Sequence, residues 1–180
     1  MTFLHSQYRG LDALDANGPR LLLAEHHHEI EAAYRALLAA TYTDDPRELV
    51  TEFRSFEREI LEHIKAEEDV ILPAYEQHAP MDARALRGDH EKIRQQLTRI
   101  CIDCELHAIR AATLEDLIAD LRAHAAREDA QMYPWAQVHL PVDSKRAVFV
   151  WLATSMQRLA LITPRSVSAN PASDPSSPLA

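Results

Sequence analysis

Apolar residues recur along most of the chain at helical rather than strand spacing. Leu23, Ile30, Tyr34 and Leu38 make one stripe, Leu49, Phe56, Ile60, Val70 and Ala74 a second, and Leu117, Leu121 and Trp135 a third. Breakers divide these stripes into helices. Pro19 suits a first helical position, so helix A is expected from there to about Tyr42. Thr43-Asp44-Asp45-Pro46 stops it and starts helix B, which should run to about Gln77. His78-Ala79-Pro80 is the next break, with Asp82 as N-cap of a helix C reaching about Ala112. Thr113 with Asp116 reads as the capping box of helix D, which ends near Pro141. Asp143 or Ser144 then caps a fifth helix to about Leu161.

Short links make consecutive helices antiparallel neighbours. The expected fold is therefore all-α, an up-down-up-down four-helix bundle with an additional C-terminal helix. That helix has no slot in the bundle and must cover an end, lie in a groove or meet another subunit, so a homodimer through it is one possibility. Residues 1–18 read as a lead-in and residues 19–162 as the bundle with its fifth helix. Residues 163–180, rich in Pro, Ser and Ala, read as a disordered tail.

Composition agrees: Gly occurs only three times, too few for a hairpin-rich β fold. A formal net charge of −9 argues against a nucleic-acid partner. Two Cys residues make no disulfide framework. The apolar runs are too short for a membrane span, and the N-terminus lacks the pattern of a signal peptide. A soluble, cytoplasmic protein is expected.

Within the helices lies an internal repeat. His63-Ile-Lys-Ala-Glu67 is followed by Leu72-Pro73, and His124-Ala-Ala-Arg-Glu128 by Tyr133-Pro134, an offset of 61 residues (63 to 124). His27 with Ile30 matches His90 with Ile93 at an offset of 63 (27 to 90). Residues four apart share a helix face, so each His–Glu pair points one way, and the surrounding stripe makes that way the core. Buried, unpartnered carboxylates cost several kcal/mol each, and a pair of metal cations is the natural compensation. His27 sits at the centre of its stripe, with His26 as the next candidate and His28 on the other side. The midpoints of His27/His63 and Glu67/His90 fall in the first two turns, which places these side chains at equal depth. The midpoint of His90 and His124, residue 107, falls short of the expected third turn, as though helix C overhung.

His27, His63-x-x-x-Glu67, His90 and His124-x-x-x-Glu128 together resemble the haemerythrin-like, or HHE cation-binding, domain, over about residues 20 to 137. The resemblance implies a carboxylate-bridged centre of two non-haem iron ions, with Glu67 and Glu128 bridging and the four histidines terminal. Asp129, five residues after His124, has the spacing that oxygen carriers use and rivals Glu128. Where those carriers place a further His, this chain has Arg94, which leaves one iron with room for water or an exogenous ligand. By ligand type alone, imidazole and carboxylate suit iron, manganese or zinc. The implied function is to bind or sense a small diatomic molecule or peroxide. The alternatives are an enzyme turning over peroxide or nitric oxide, or an iron store or donor.

Other residues are more ambiguous. Glu59 and Asp120, four residues before His63 and His124, are candidates to orient those rings, or else mark an acidic bundle edge. Glu31 is a spare ligand or part of a solvated face. Tyr34 packs or lines a ligand route, and Cys101 and Cys104 pack or form a redox pair. His5, His78, His107 and His139 are expected at the surface.

Overall fold

A computed structural model describes residues 18–42, 46–106 and 108–151. The lead-in, the tail, His5 and His107 lie outside the described residues. The helices are α1 (Gly18–Ala40), α2 (Pro46–Ala66), α3 (Leu72–His78), α4 (Pro80–Glu105), α5 (Ala111–Arg127) and α6 (Tyr133–His139). Residues 142–151 are also helical. Among the described residues the fold is all-helical, with α1 packed on α2, α5 and α6, and α4 on α2, α3 and α5.

Helices B and D are each interrupted where a continuous α-helix was expected. Glu67–Ile71 and Glu128–Met132 are π-helical turns, again 61 residues apart (67 to 128). Pro73 and Pro134 explain them: neither has an N–H to donate one turn back, so the ladder must change register. Leu72 N–H instead reaches Glu67 O, and Tyr133 N–H reaches Glu128 O. The longer turn re-phases the helix that follows. Ile71, Leu72 and Tyr75 are thus buried, while Val70 and Ala74, expected to face the core, are half-buried.

Two further expectations are corrected. Helix C starts at Pro80, before Asp82, and ends at Glu105; helix D starts at Ala111 without a side-chain cap, so Thr113 is not its N-cap. Ile109 leaves the helix and packs on the core. The link between helices C and D therefore lies between Glu105 and Ala111, earlier than expected. The described part of the fifth helix covers its own chain, with Val148 fully buried and Trp151 Nε1 donating to Glu62 Oε2 at 2.9 Å.

The core forms two apolar clusters. One includes Tyr34, Leu37, Phe53, Phe56, Leu97 and Leu114; the other includes Ile71, Tyr75, Leu86, Met132 and Ala136. Cys104 is buried in the first, with Cys101 packed beside it, and burial pushes the Cys104 thiol up to about 11. That favours packing over redox chemistry. Between the clusters lies a polar layer. No helix among the described residues is long and apolar enough to cross a membrane.

Candidate metal centre

The polar layer contains His26, His63, Glu67, His90, His124 and Glu128, all buried, with Glu67, His90 and Glu128 completely so. His27 joins them with its side chain 16% exposed. The repeat brings the expected residues together in two groups. Glu67, His90, His124 and Glu128 form one, and His27, His63 and Glu128 the other; within each group, one donor atom per residue lies within 4.8 Å of the rest.

Both carboxylates reach both pairs of imidazoles. Glu67 Oε1 is 3.3 Å from His63 Nε2, and its Oε2 is 3.3 Å from His90 Nε2. Glu128 Oε2 is 3.4 Å from His27 Nε2, and its Oε1 is 2.8 Å from His124 Nε2. The Nε2 atoms stand 3.2 Å apart in the His27–His63 pair and 3.1 Å apart in the His90–His124 pair.

Such a set fits a cation better than a hydrogen-bond network. Glu67 Oε2 and Glu128 Oε1 are buried without a hydrogen-bond partner despite their close nitrogen neighbours. Nitrogens about 3 Å apart also match adjacent ligands of one ion at roughly 2.1 Å each.

The family model of the hemerythrin HHE cation-binding domain matches residues 19–136. The chain belongs to that family. No curated protein and no solved structure gives a significant match.

In this hemerythrin domain the outer ring nitrogens meet a second set of side chains, which also follows the repeat. His90 Nδ1 donates to Glu68 Oε1 at 3.0 Å, and Arg94 in turn donates to Glu68. His124 Nδ1 faces Asp89 Oδ2 at 3.5 Å, and Arg127 Nη1 donates to that oxygen at 2.6 Å. His27 Nδ1 faces Asp129 Oδ2 at 3.9 Å. His63 Nδ1 meets not a carboxylate but His26 Nδ1, at 3.0 Å, with the two rings stacked. His26 stands at the repeat position of Asp89, an offset of 63 (26 to 89).

Several expectations change accordingly. His26 does not point aside: it is more buried than His27 and backs His63, while His28 is exposed. Asp129 is half-exposed and faces the outer edge of His27, so the cluster takes Glu128 rather than its rival. Glu59 and Asp120 do not orient the rings. Asp120 accepts from Lys92 and Gln96, and burial with nearby Glu29 pushes the Glu59 carboxyl up to about 7. Arg94 donates to Glu68, the carboxylate that meets the outer nitrogen of His90. Glu31 pairs with Arg122, and Tyr34 is buried against Phe56. His78 and His139 are exposed as expected.

One participant was missed. The Tyr133 hydroxyl donates to Glu67 Oε1 and lies 3.2 Å from His63 Nε2, 3.4 Å from His27 Nε2 and 3.3 Å from Glu128 Oε2. Burial and the two carboxylates hold this phenol protonated, well above its ordinary range. The signal was available in the repeat, where Tyr133 answers to Leu72 (72 to 133).

Charge balance in the metal-free cluster rests on protons. Burial opposes ionisation of Glu128, but His124, His27 and His90 hold its carboxyl well below the ordinary range. Burial likewise opposes a charge on His90, yet Glu128 and Glu67 raise it to about 10. His27 and His124 are raised for the same reasons. Metal uptake must displace these protons, so apparent affinity should strengthen as pH rises from 6.5 toward 10. Stability of the metal-free protein should run the other way. The His90 contribution is complete below its ordinary 6.5 and is lost as pH rises through about 10. The Glu128 contribution is complete above 4.5 and is lost only as pH falls well below it. Metal-free melts should therefore drop between pH 7 and 10 more than metal-loaded melts; parallel profiles would contradict this balance.

Two pockets approach the cluster. One lies between α1, α2 and α5, walled by Ile30, Ile60, Ile64, Ile118 and Leu121, with His27, His63 and His124 lining it too. The other is charged, lies between α4 and α5, and brings Asp89, Lys92, Asp120 and Arg127 to the outer side of His124.

Proposed function

We propose that the chain holds two iron ions and uses them to bind or sense a small oxidant. His27 and His63 would serve one ion, His90 and His124 the other, with Glu67 and Glu128 shared. The observation that carries this reading is the span of the two buried carboxylates, each with one oxygen toward either histidine pair. Nitrogen and oxygen donors without thiolate, in a carboxylate-rich helical bundle, favour iron. Iron bound there would supply one-electron chemistry and an exchangeable coordination position.

The protein's own groups have distinct tasks. Glu68 and Asp89 fix the rings of His90 and His124, and Arg94 and Arg127 fix those carboxylates in turn. Tyr133 keeps a proton beside Glu67 and can offer it as a hydrogen bond inside the cluster. The mainly apolar walls of the first pocket suit small neutral molecules, which favours dioxygen or nitric oxide over peroxide. Residues 19–162 would act as one unit. A cytoplasmic protein with no nucleic-acid partner is consistent with the acidic charge.

Spectra of the anaerobically iron-loaded protein test this reading. Nitric oxide and dioxygen should each change the iron-associated absorption, at sub-stoichiometric protein and in a saturable way. Absence of any response to nitric oxide, dioxygen and peroxide would leave a metal store or donor as the function.

A further inference from the structure

The apolar pocket has two charged lining residues, Glu31 on α1 and Arg122 on α5. Both mark its outer end: Arg122 is 60% exposed and Glu31 25%, whereas Ile30, Ile60 and Ile118 are buried. They are joined. Arg122 Nε donates to Glu31 Oε2 at 3.1 Å, and Arg122 Nη2 donates to Glu31 Oε1, a two-point contact across the gap between the helices. The guanidinium also lies over the Tyr34 ring, 5.8 Å from its centroid. One side chain of α5 therefore touches both the Glu31 carboxylate and the Tyr34 ring of α1.

We propose that the Glu31–Arg122 pair is a gate that sets how fast small neutral molecules reach the cluster. The proposal rests on the reading that such a molecule binds there. The chemistry suits a gate better than a wall. The planar guanidinium is held at the outer end of the pocket in a defined orientation through both carboxylate oxygens. The pair faces solvent, so water competes for it and the closed arrangement is easily left. Solvent-exposed side chains of this kind reorient far faster than helices move. A neutral molecule pays no charge penalty in the pocket beyond, while a hydrated anion must shed its water there.

A gate alters admission and escape equally and leaves affinity alone. Xenon provides a probe independent of metal, since it occupies dry apolar pockets. Xenon exchange in the metal-free full chain, followed by NMR, should accelerate severalfold in both Arg122→Ala and Glu31→Gln, with xenon affinity unchanged. Leu121→Trp, which fills the pocket, should abolish the signal and so confirm where xenon sits. In the iron-loaded protein, Arg122→Ala and Glu31→Gln should raise the association rate of nitric oxide by a comparable factor, read by stopped-flow absorption. Unchanged exchange in both variants, or a changed affinity at unchanged rate, would overturn the gate. So would accelerated xenon exchange together with an unchanged nitric oxide rate, because the pocket would then not be the route. If xenon responds as expected and nitric oxide does not bind at all, the gate stands and the oxidant reading fails.

Discussion

Glu128→Ala should abolish metal binding at both groups, not at one. Its two oxygens face His27 and His124, which belong to different groups, and it is the one residue common to both. Removing it takes a negative charge from each group and leaves three raised histidines facing a single carboxylate. Apparent metal affinity should fall by at least a hundredfold, the upper part of the range for losing even an outer-sphere partner. Glu67→Ala should behave similarly, because its oxygens face His63 and His90. Calorimetric metal titration of the folded variants decides the matter. Retention of one tight ion in Glu128→Ala would show that the carboxylate serves a single metal.

The second large effect separates the neighbours His26 and His27. His27→Ala should lose one ion of two, since its Nε2 faces Glu128 and His63 in the second group. His26→Ala should keep both but bind the second more weakly. His26 reaches only the outer nitrogen of His63, and burial beside His63 and His27 lowers it to about 3, so it acts as a neutral partner. Losing an outer partner of a ligand histidine typically costs about ten- to a hundredfold in affinity. His26→Asp, which restores the carboxylate found at the matching position Asp89, should tighten the second ion relative to His26→Ala. If His26→Ala loses an ion outright while His27→Ala keeps both, the roles of the two residues are reversed.

These two residues also show where sequence reading reaches its limit. The six cluster residues expected from sequence were legible because they repeat, and four of them because a His–Glu pair four apart must share a face. His27 was selected both by its match to His90 and by its place at the centre of one stripe, and His26 ranked behind it as the next candidate. The interior of the bundle is wide enough to take both, one toward the centre of the cluster and one behind His63. In the sequence Pro73 and Pro134 show only as a repeated step; that each removes a donor and re-phases the helix after it depends on the backbone ladder around Glu67–Ile71 and Glu128–Met132. Outer partners were sought four residues away on the same helix, at Glu59 and Asp120. The chain supplies Glu68 and Asp89 instead, from the neighbouring helix, and only packing reveals which helix faces which. The end of helix C carries no Gly or Pro, so local sequence offered no stop. Its position was nevertheless hinted at by the midpoint of His90 and His124, which lies after Glu105 and before Ala111.

The central claim is a two-ion centre with shared carboxylates. Metal content after anaerobic iron loading and removal of excess tests it most directly, by elemental analysis of the full chain. The duplicated His–Glu arrangement predicts about two irons per chain, with Glu128→Ala falling close to none. A reproducible content of one ion per chain, with zinc retained in preference to iron, would contradict it.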